Sequence, residues 1–155
     1  MSLHRLERIQ KLPISLEEAW NFFSSPANLQ AITPEYMGFK VLTSLPPKMY
    51  AGQIIEYKVS PVLNIPLHWV TEITHVEAPV FFIDEQRFGP YAFWHHQHHF
   101  LPINGGVQMK DIVHYKLPLG PLGDIAHELF VKKQLEEIFE FRFKILEEKF
   151  GKMPD

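Results

Sequence analysis

The chain has 155 residues, of which 46% are hydrophobic, and a formal net charge of −3. That size suits one domain, the apolar share supports a full core, and the lack of a clustered Lys/Arg run argues against nucleic acid as a partner. Without cysteine, disulfides, thiolate catalysis and Cys-type zinc sites are excluded. Met1 to Arg8 lack the apolar centre of a secretory signal. No apolar stretch approaches the ~20 residues of a transmembrane segment. A cytoplasmic location is therefore expected.

Leu3 to Leu12 mixes apolar and charged residues as a first strand would. Pro13-Ile14-Ser15 ends it. Ser15 with Glu18 reads as a capping box opening a helix from Leu16 to Phe23. Ser24-Ser25-Pro26 breaks that helix, and a second short one is expected from Ala27 to Ile32. Strand-like runs follow at Phe39 to Thr43, Gln53 to Val59, His68 to His75, Phe81 to Phe88, Tyr91 to Leu101 and Val107 to Leu117. Turn residues such as Pro46-Pro47, Gly89-Pro90 and Asn104-Gly105-Gly106 separate them. The short spacing favours antiparallel hairpins. From Pro121 to Phe150 the spacing is helical, with Leu122, Ile125, Leu129, Leu135, Ile138, Phe139, Ile145, Leu146 and Phe150 near one stripe. Gly151 is a fitting C-cap. The expected fold is one α+β domain over residues 1–155. A curved antiparallel sheet of about six to seven strands wraps a long C-terminal helix, with two short helices after the first strand. Thirteen Phe suit a sheet that covers a wide interior.

Side chains alternate along a strand. Trp94, His96, His98 and Phe100 form one set, bounded by aromatics and assigned inward. Opposite them, Met109, Asp111, Val113 and Tyr115 oppose the Lys-bearing face of their own strand, which puts Asp111 inside. Phe82, Asp84, Gln86 and Phe88 share a face, as do Trp69, Thr71 and Ile73. The interior thus combines Asp84, Gln86, His96, His98, Asp111 and Tyr115 with Trp, Phe and Met. Buried charges need partners. Arg142 interrupts the helix stripe between Phe139 and Leu146, where its fork could meet a sheet carboxylate or a ligand anion.

These residues resemble the polyketide cyclase/START-like superfamily (SRPBCC, Bet v 1-type helix-grip fold), and within it a bacterial ligand-binding subgroup sometimes labelled cell-division-inhibitor-like. The likeness rests on Phe82-Ile83-Asp84-Glu85-Gln86, Gly89-Pro90-Tyr91, Trp94 with His96 and His98, and Met109 to Tyr115. Pro118 to Gly123 and Phe139 to Arg142 complete it. It implies a cavity between sheet and long helix. The Rieske ligands of the oxygenase members are absent, and the family's breadth leaves catalysis undecided.

Three functions are compatible with this interior. The leading one is binding of a small hydrophobic or aromatic molecule. Trp69, Trp94, Phe100, Met109 and Phe139 would pack on it, while Asp84, Gln86, His96, His98, Asp111, Tyr115 and Arg142 would orient it. The alternative is a cyclase or dehydratase in which His96 or His98 works with Asp111 as acid and base. The third is a partner-binding module with a collapsed cavity. His96 and His98 with Asp84 or Asp111 also match a two-His, one-carboxylate metal set. The triplets lack a defined metal-site spacing, however, so a hydrogen-bond network is the plainer reading and no metal or other cofactor is assigned. A homodimer through an edge strand is compatible with the sequence but not demanded by it.

Overall fold

In a computed structural model, which describes residues 2–154, period-two runs become seven strands. They are β1 (His4–Leu12), β2 (Lys40–Val41), β3 (Ile54–Val59), β4 (Leu67–Glu77), β5 (Phe81–Phe88), β6 (Phe93–Ile103) and β7 (Gly106–Lys116). All pair antiparallel in one sheet, ordered β1-β7-β6-β5-β4-β3-β2. Consecutive hairpins build most of the order, and β1 returns to pair with β7. The segment between β1 and β2 therefore has to cross from one sheet edge to the other. It does so through helix α1 (Leu16–Phe23) and two 3-10 turns, Pro26–Ile32 and Glu35–Met37. Register shifts between β4 and β5, at Val70/Thr71 and at Ile73/His75, add the local twist that curves the sheet.

Helix α1 begins where its cap predicts. Ser15 Oγ accepts the Glu18 backbone N–H at 3.1 Å, satisfying one of the orphan donors of the first turn. The expected second helix is a 3-10 turn instead. Only seven residues separate Ser25 from Thr33, too few to repay an α-helical nucleus. The run expected from Phe39 to Thr43 shrinks to two ladder residues. Thr43 Oγ1 there takes the Glu56 N–H at 2.6 Å, so a side chain replaces the next strand partner.

The largest departure from expectation lies in the C-terminal helix. Residues 121–150 are continuously helical, as α2 (Pro121–Ala126), a π-helical turn (His127–Val131) and α3 (Lys132–Phe150). Leu135, Phe139 and Leu146 are buried as expected, whereas Leu122, Ile125 and Leu129 are more than half exposed. The π turn is the reason: its wider winding lets the inward line run through Gly123, His127, Val131, Leu135 and Phe139 at a constant spacing of four. A uniform 3.6-residue helix would drift off that line. Ile125 and Leu129 consequently lie outside the cavity wall, which Leu122 still joins.

Two buried clusters flank the helix. One gathers Leu12, Ile14, Ala19, Ile32, Phe82, Phe100, Val107, Met109 and Leu146 under α1. The other joins Leu6, Val113 and Tyr115 to Leu135 and Phe139. A third, around Ile55, Tyr57 and Ile73, fills the far strands. Between sheet and helix a cavity of about 500 Å³ remains open. Gln134 Nε2 donates to the Pro61 carbonyl at 2.7 Å, tying the β3–β4 loop to α3. Val62, Leu67, Pro90, Leu119 and Leu122 contribute to the cavity lining from the loops and α2.

Leu146 is 1% exposed within the cluster beneath α1. Leu146→Ala should therefore cost about 2–5 kcal/mol through lost burial and an unfilled void. Urea unfolding should show a lower midpoint at unchanged slope.

Candidate functional site

The site is assembled by strand register. Asp84 of β5 lies directly across from His96 of β6, and His98 of β6 directly across from Asp111 of β7. All four face the helix because they share the inward parity of their strands. The short hydrogen bonds, however, run diagonally. His96 Nε2–H donates to Asp111 Oδ1 at 2.7 Å, and His98 Nε2–H donates to Asp84 Oδ2 at 2.6 Å. The second nitrogens close a ring: His98 Nδ1 lies 3.4 Å from Asp111 Oδ1, and His96 Nδ1 lies 3.8 Å from Asp84 Oδ2. The two imidazoles pack against each other at a 31° tilt with centroids 3.7 Å apart, and Phe82 stacks on His98 at 4.0 Å.

Geometry biases the charges. His98 Nδ1 faces Asp111 Oδ1 at 3.4 Å, so the two carboxylates around His98 favour its charged form. At 3.8 Å the matching contact of His96 is no hydrogen bond, and a single proton on Nε2 suffices. Ionisation tendencies agree. Burial presses the His98 pKa down, but hydrogen bonds to Asp111 and Asp84 and their charges raise it overall above 6.5. His96 is lowered, by burial first and then by the charge of His98. Burial would raise both carboxyls, yet Asp111, bonded to His96 and His98, lies far below the usual carboxylate range. Asp84 is lowered by its His98 bond and by the charges of His96, His98 and Arg142.

Arg142 reaches the same region from α3. Its Cζ sits over the Phe139 ring, 4.9 Å from the centroid. Its Nε is buried without a hydrogen-bond partner, and no carboxylate comes within 4.0 Å of the guanidinium among the described residues. The expected bidentate pair with a sheet carboxylate therefore does not form. The imidazoles already occupy Asp84 and Asp111, and these attract Arg142 only at longer range.

The cavity wall includes Trp69, Asp84, Trp94, His96, His98, Phe100, Met109, Asp111, Phe139 and Arg142. Trp69 and Trp94 meet edge to face at 5.3 Å, with Tyr91 against both at 5.6 and 4.8 Å. Two expected residues lie outside this wall. Gln86 caps the β5–β6 hairpin, donating to the Tyr91 carbonyl at 2.7 Å and accepting its N–H at 3.0 Å. The Tyr115 hydroxyl bonds His127 Nε2 at 2.8 Å. His127 went unnoticed in the sequence, although it is buried and stacks on His4 at 3.5 Å. Its place four residues before Val131 was the available signal. Gln10 was also missed: buried on the inward parity of β1, it donates to the Phe143 carbonyl at 2.9 Å.

Asp84, His96 and His98 each offer a ligand atom, all within 4.8 Å of one another. An ion there would have to break the short bond to Asp84 or remove a proton from His98, with the Arg142 charge nearby opposing it. The arrangement serves a charge-paired network better than a metal centre.

A curved seven-stranded sheet gripping a long C-terminal helix is the START-like, Bet v 1-type helix-grip fold. Solved structures of that form cover nearly the whole chain. A Thermus thermophilus protein, TTHA0849, is 19% identical over 96% of this chain and 97% of its own, with a TM-score of 0.71. A START superfamily protein from Mycobacterium smegmatis is 15% identical over 95% and 97%, also at 0.71. Ara h 8.0201 is 14% identical over 94% and 98%, at 0.61. No protein-family model and no curated protein matches the sequence. Among the described residues, no helix is long and apolar enough to cross a membrane.

Asp111→Ala should cost about 3–5 kcal/mol, since it leaves His96 and His98 without one of their two buried carboxylate partners. The pH dependence has a definite sign. His98 is raised in the fold, so its contribution is complete below 6.5 and disappears as pH climbs through the folded value. The stability gap between wild type and His98→Gln should narrow over that rise, as followed by urea unfolding. Imidazole nitrogen NMR across a pH titration should find His98 taking its second N–H proton at a higher pH than His96.

Proposed function

We propose that the chain binds a small, mainly apolar or aromatic molecule in the cavity between sheet and C-terminal helix. One observation carries this reading: a cavity of about 500 Å³, walled mostly by aromatic and aliphatic side chains, includes Asp84, His96, His98, Asp111 and Arg142 in its wall. Pockets of ~300–1,000 Å³ with a few convergent polar groups suit small ligands. The rings of Trp69, Trp94 and Phe139 would cover the apolar body, and the ring of His96, His98, Asp84 and Asp111 with Arg142 would face its polar end. The START-like fold of the neighbours is compatible with this use.

A cyclase or dehydratase has less support. The Nε2 nitrogens of His96 and His98 are already bonded to Asp111 and Asp84 at 2.7 and 2.6 Å, which ties both imidazoles into the wall. A general acid or base must reach the reacting atom directly or through one water. The ring fits a structural and electrostatic role.

Native mass spectrometry of the chain taken from its source cells should reveal an added small-molecule mass. Ile138 lines the cavity from α3. Ile138→Trp should weaken an apolar fluorescent probe by roughly tenfold, equal to 1.4 kcal/mol, while the chain stays folded by circular dichroism. If neither a probe nor a lipid extract binds the wild type, the binding reading is wrong.

A further inference from the structure

The chain has five tyrosines, and their hydroxyls divide by surroundings. Tyr36 and Tyr50 are exposed. Tyr115 is buried and bonds His127. Tyr57 of β3 and Tyr91 of the β5–β6 hairpin differ from these three. Both line the cavity, and among the described residues neither hydroxyl has a hydrogen-bond partner. Tyr91 bonds Gln86 through its backbone alone.

Parity explains the placing of Tyr57. Ile55, Tyr57 and Val59 are the buried set of β3, so the phenol points inward, beside its ladder partner Trp69. Tyr91 meets the same Trp69 edge to face at 5.6 Å. The two phenols thus belong to one stretch of wall built around Trp69, on strands and a turn other than β6 and β7, which supply His96, His98 and Asp111. Burial pushes both phenol pKa values up, aided by the Asp84 charge at Tyr57 and by Tyr115 at Tyr91. Each therefore offers an O–H donor and acceptor lone pairs at neutral pH. Neither oxygen is sealed in. The buried side-chain nitrogens or oxygens left without a partner, among the described residues, are His4 Nε2 and Arg142 Nε. The phenol oxygens keep surface that a ligand atom can reach.

This separates ligand classes. A hydroxyl covered by an apolar group and left unbonded is costly. A hydrocarbon filling the cavity would cover both oxygens and return no bond. A ligand hydroxyl or carbonyl oxygen accepts a phenol O–H, and the ring of Trp69 offers a face for the rest of the molecule.

We propose that Tyr57 and Tyr91 are ligand-binding residues, a pair of hydroxyl anchors that select an oxygenated aromatic or apolar molecule, its hydroxyl or carbonyl oxygen on a phenol and its body against Trp69. This rests on the binding function proposed above and narrows it to one ligand chemistry.

β-Naphthol and β-methylnaphthalene test it, since they share a shape and differ by a hydroxyl in place of a methyl. Each displaces an apolar fluorescent probe, at neutral pH, from the wild type and from the double variant Tyr57→Phe/Tyr91→Phe, which loses the two oxygens and keeps the rings. The double variant should bind naphthol about fivefold more weakly and methylnaphthalene as tightly as the wild type or more so. A ratio of the two affinities that is the same in both proteins overturns the anchors. A second readout needs no ligand. Tyr57→Phe should leave the urea midpoint in place, whereas Tyr115→Phe, which loses the His127 bond, should lower it. A midpoint lowered as far by Tyr57→Phe as by Tyr115→Phe would make the Tyr57 hydroxyl structural and overturn its role. Failure of naphthol to displace the probe overturns the anchors while the binding function stands; failure of the apolar probe itself to bind removes both.

Discussion

The closed ring of two carboxylates and two imidazoles is the interaction on which the interior depends. It joins three neighbouring strands, β5, β6 and β7, through bonds that cross the register diagonally. A slip of one residue in any of them would turn its members to the solvent side. Hydrophobic alternation alone specifies such strands less firmly, because both faces of β5 carry aromatic residues: Phe82 is buried and Phe81 half-buried. The ring therefore does two jobs. It fixes register, and it holds two negative charges in the wall of an otherwise apolar cavity.

Holding those charges has consequences for the helix. A buried arginine opposite two carboxylates would ordinarily be drawn into a bidentate pair. Here each carboxylate already accepts a hydrogen bond from an imidazole at 2.6 or 2.7 Å. The packing of His96 on His98 and of His98 on Phe82 fixes the rings that do this. Arg142 is left on Phe139, its Nε buried without an acceptor.

Much of this was legible in the sequence. Parity placed His96, His98 and Asp111 on the inward face, and the Lys-bearing face of β7 settled which side was outside. The Ser15 cap, the Asn104-Gly105 hairpin and the order of elements were local signals with local causes. The failures share a different origin. Tyr115 was expected to face a ligand, yet His127 on the helix takes its hydroxyl. Arg142 was expected to pair with a carboxylate. Each case turned on which partner a distant element would present, and side-chain alternation in one strand contains no such information.

The helix stripe failed for a related reason, and its failure explains the cavity's shape. Ile125 and Leu129, expected on the inward stripe, lie on the exposed side of the helix. The π turn at His127–Val131 keeps Gly123, His127 and Val131 on the inward line. At Gly123 there is no room for a side chain, since a Cβ would lie 2.1 Å from the Pro118 carbonyl oxygen. His127 is committed to Tyr115 and to the stack with His4. The inward line at this end of the helix is thus a glycine, a tied-down imidazole and a valine. A local change in helix winding and a polar cluster on the facing sheet together shape the wall of the cavity, which Arg142 joins from α3.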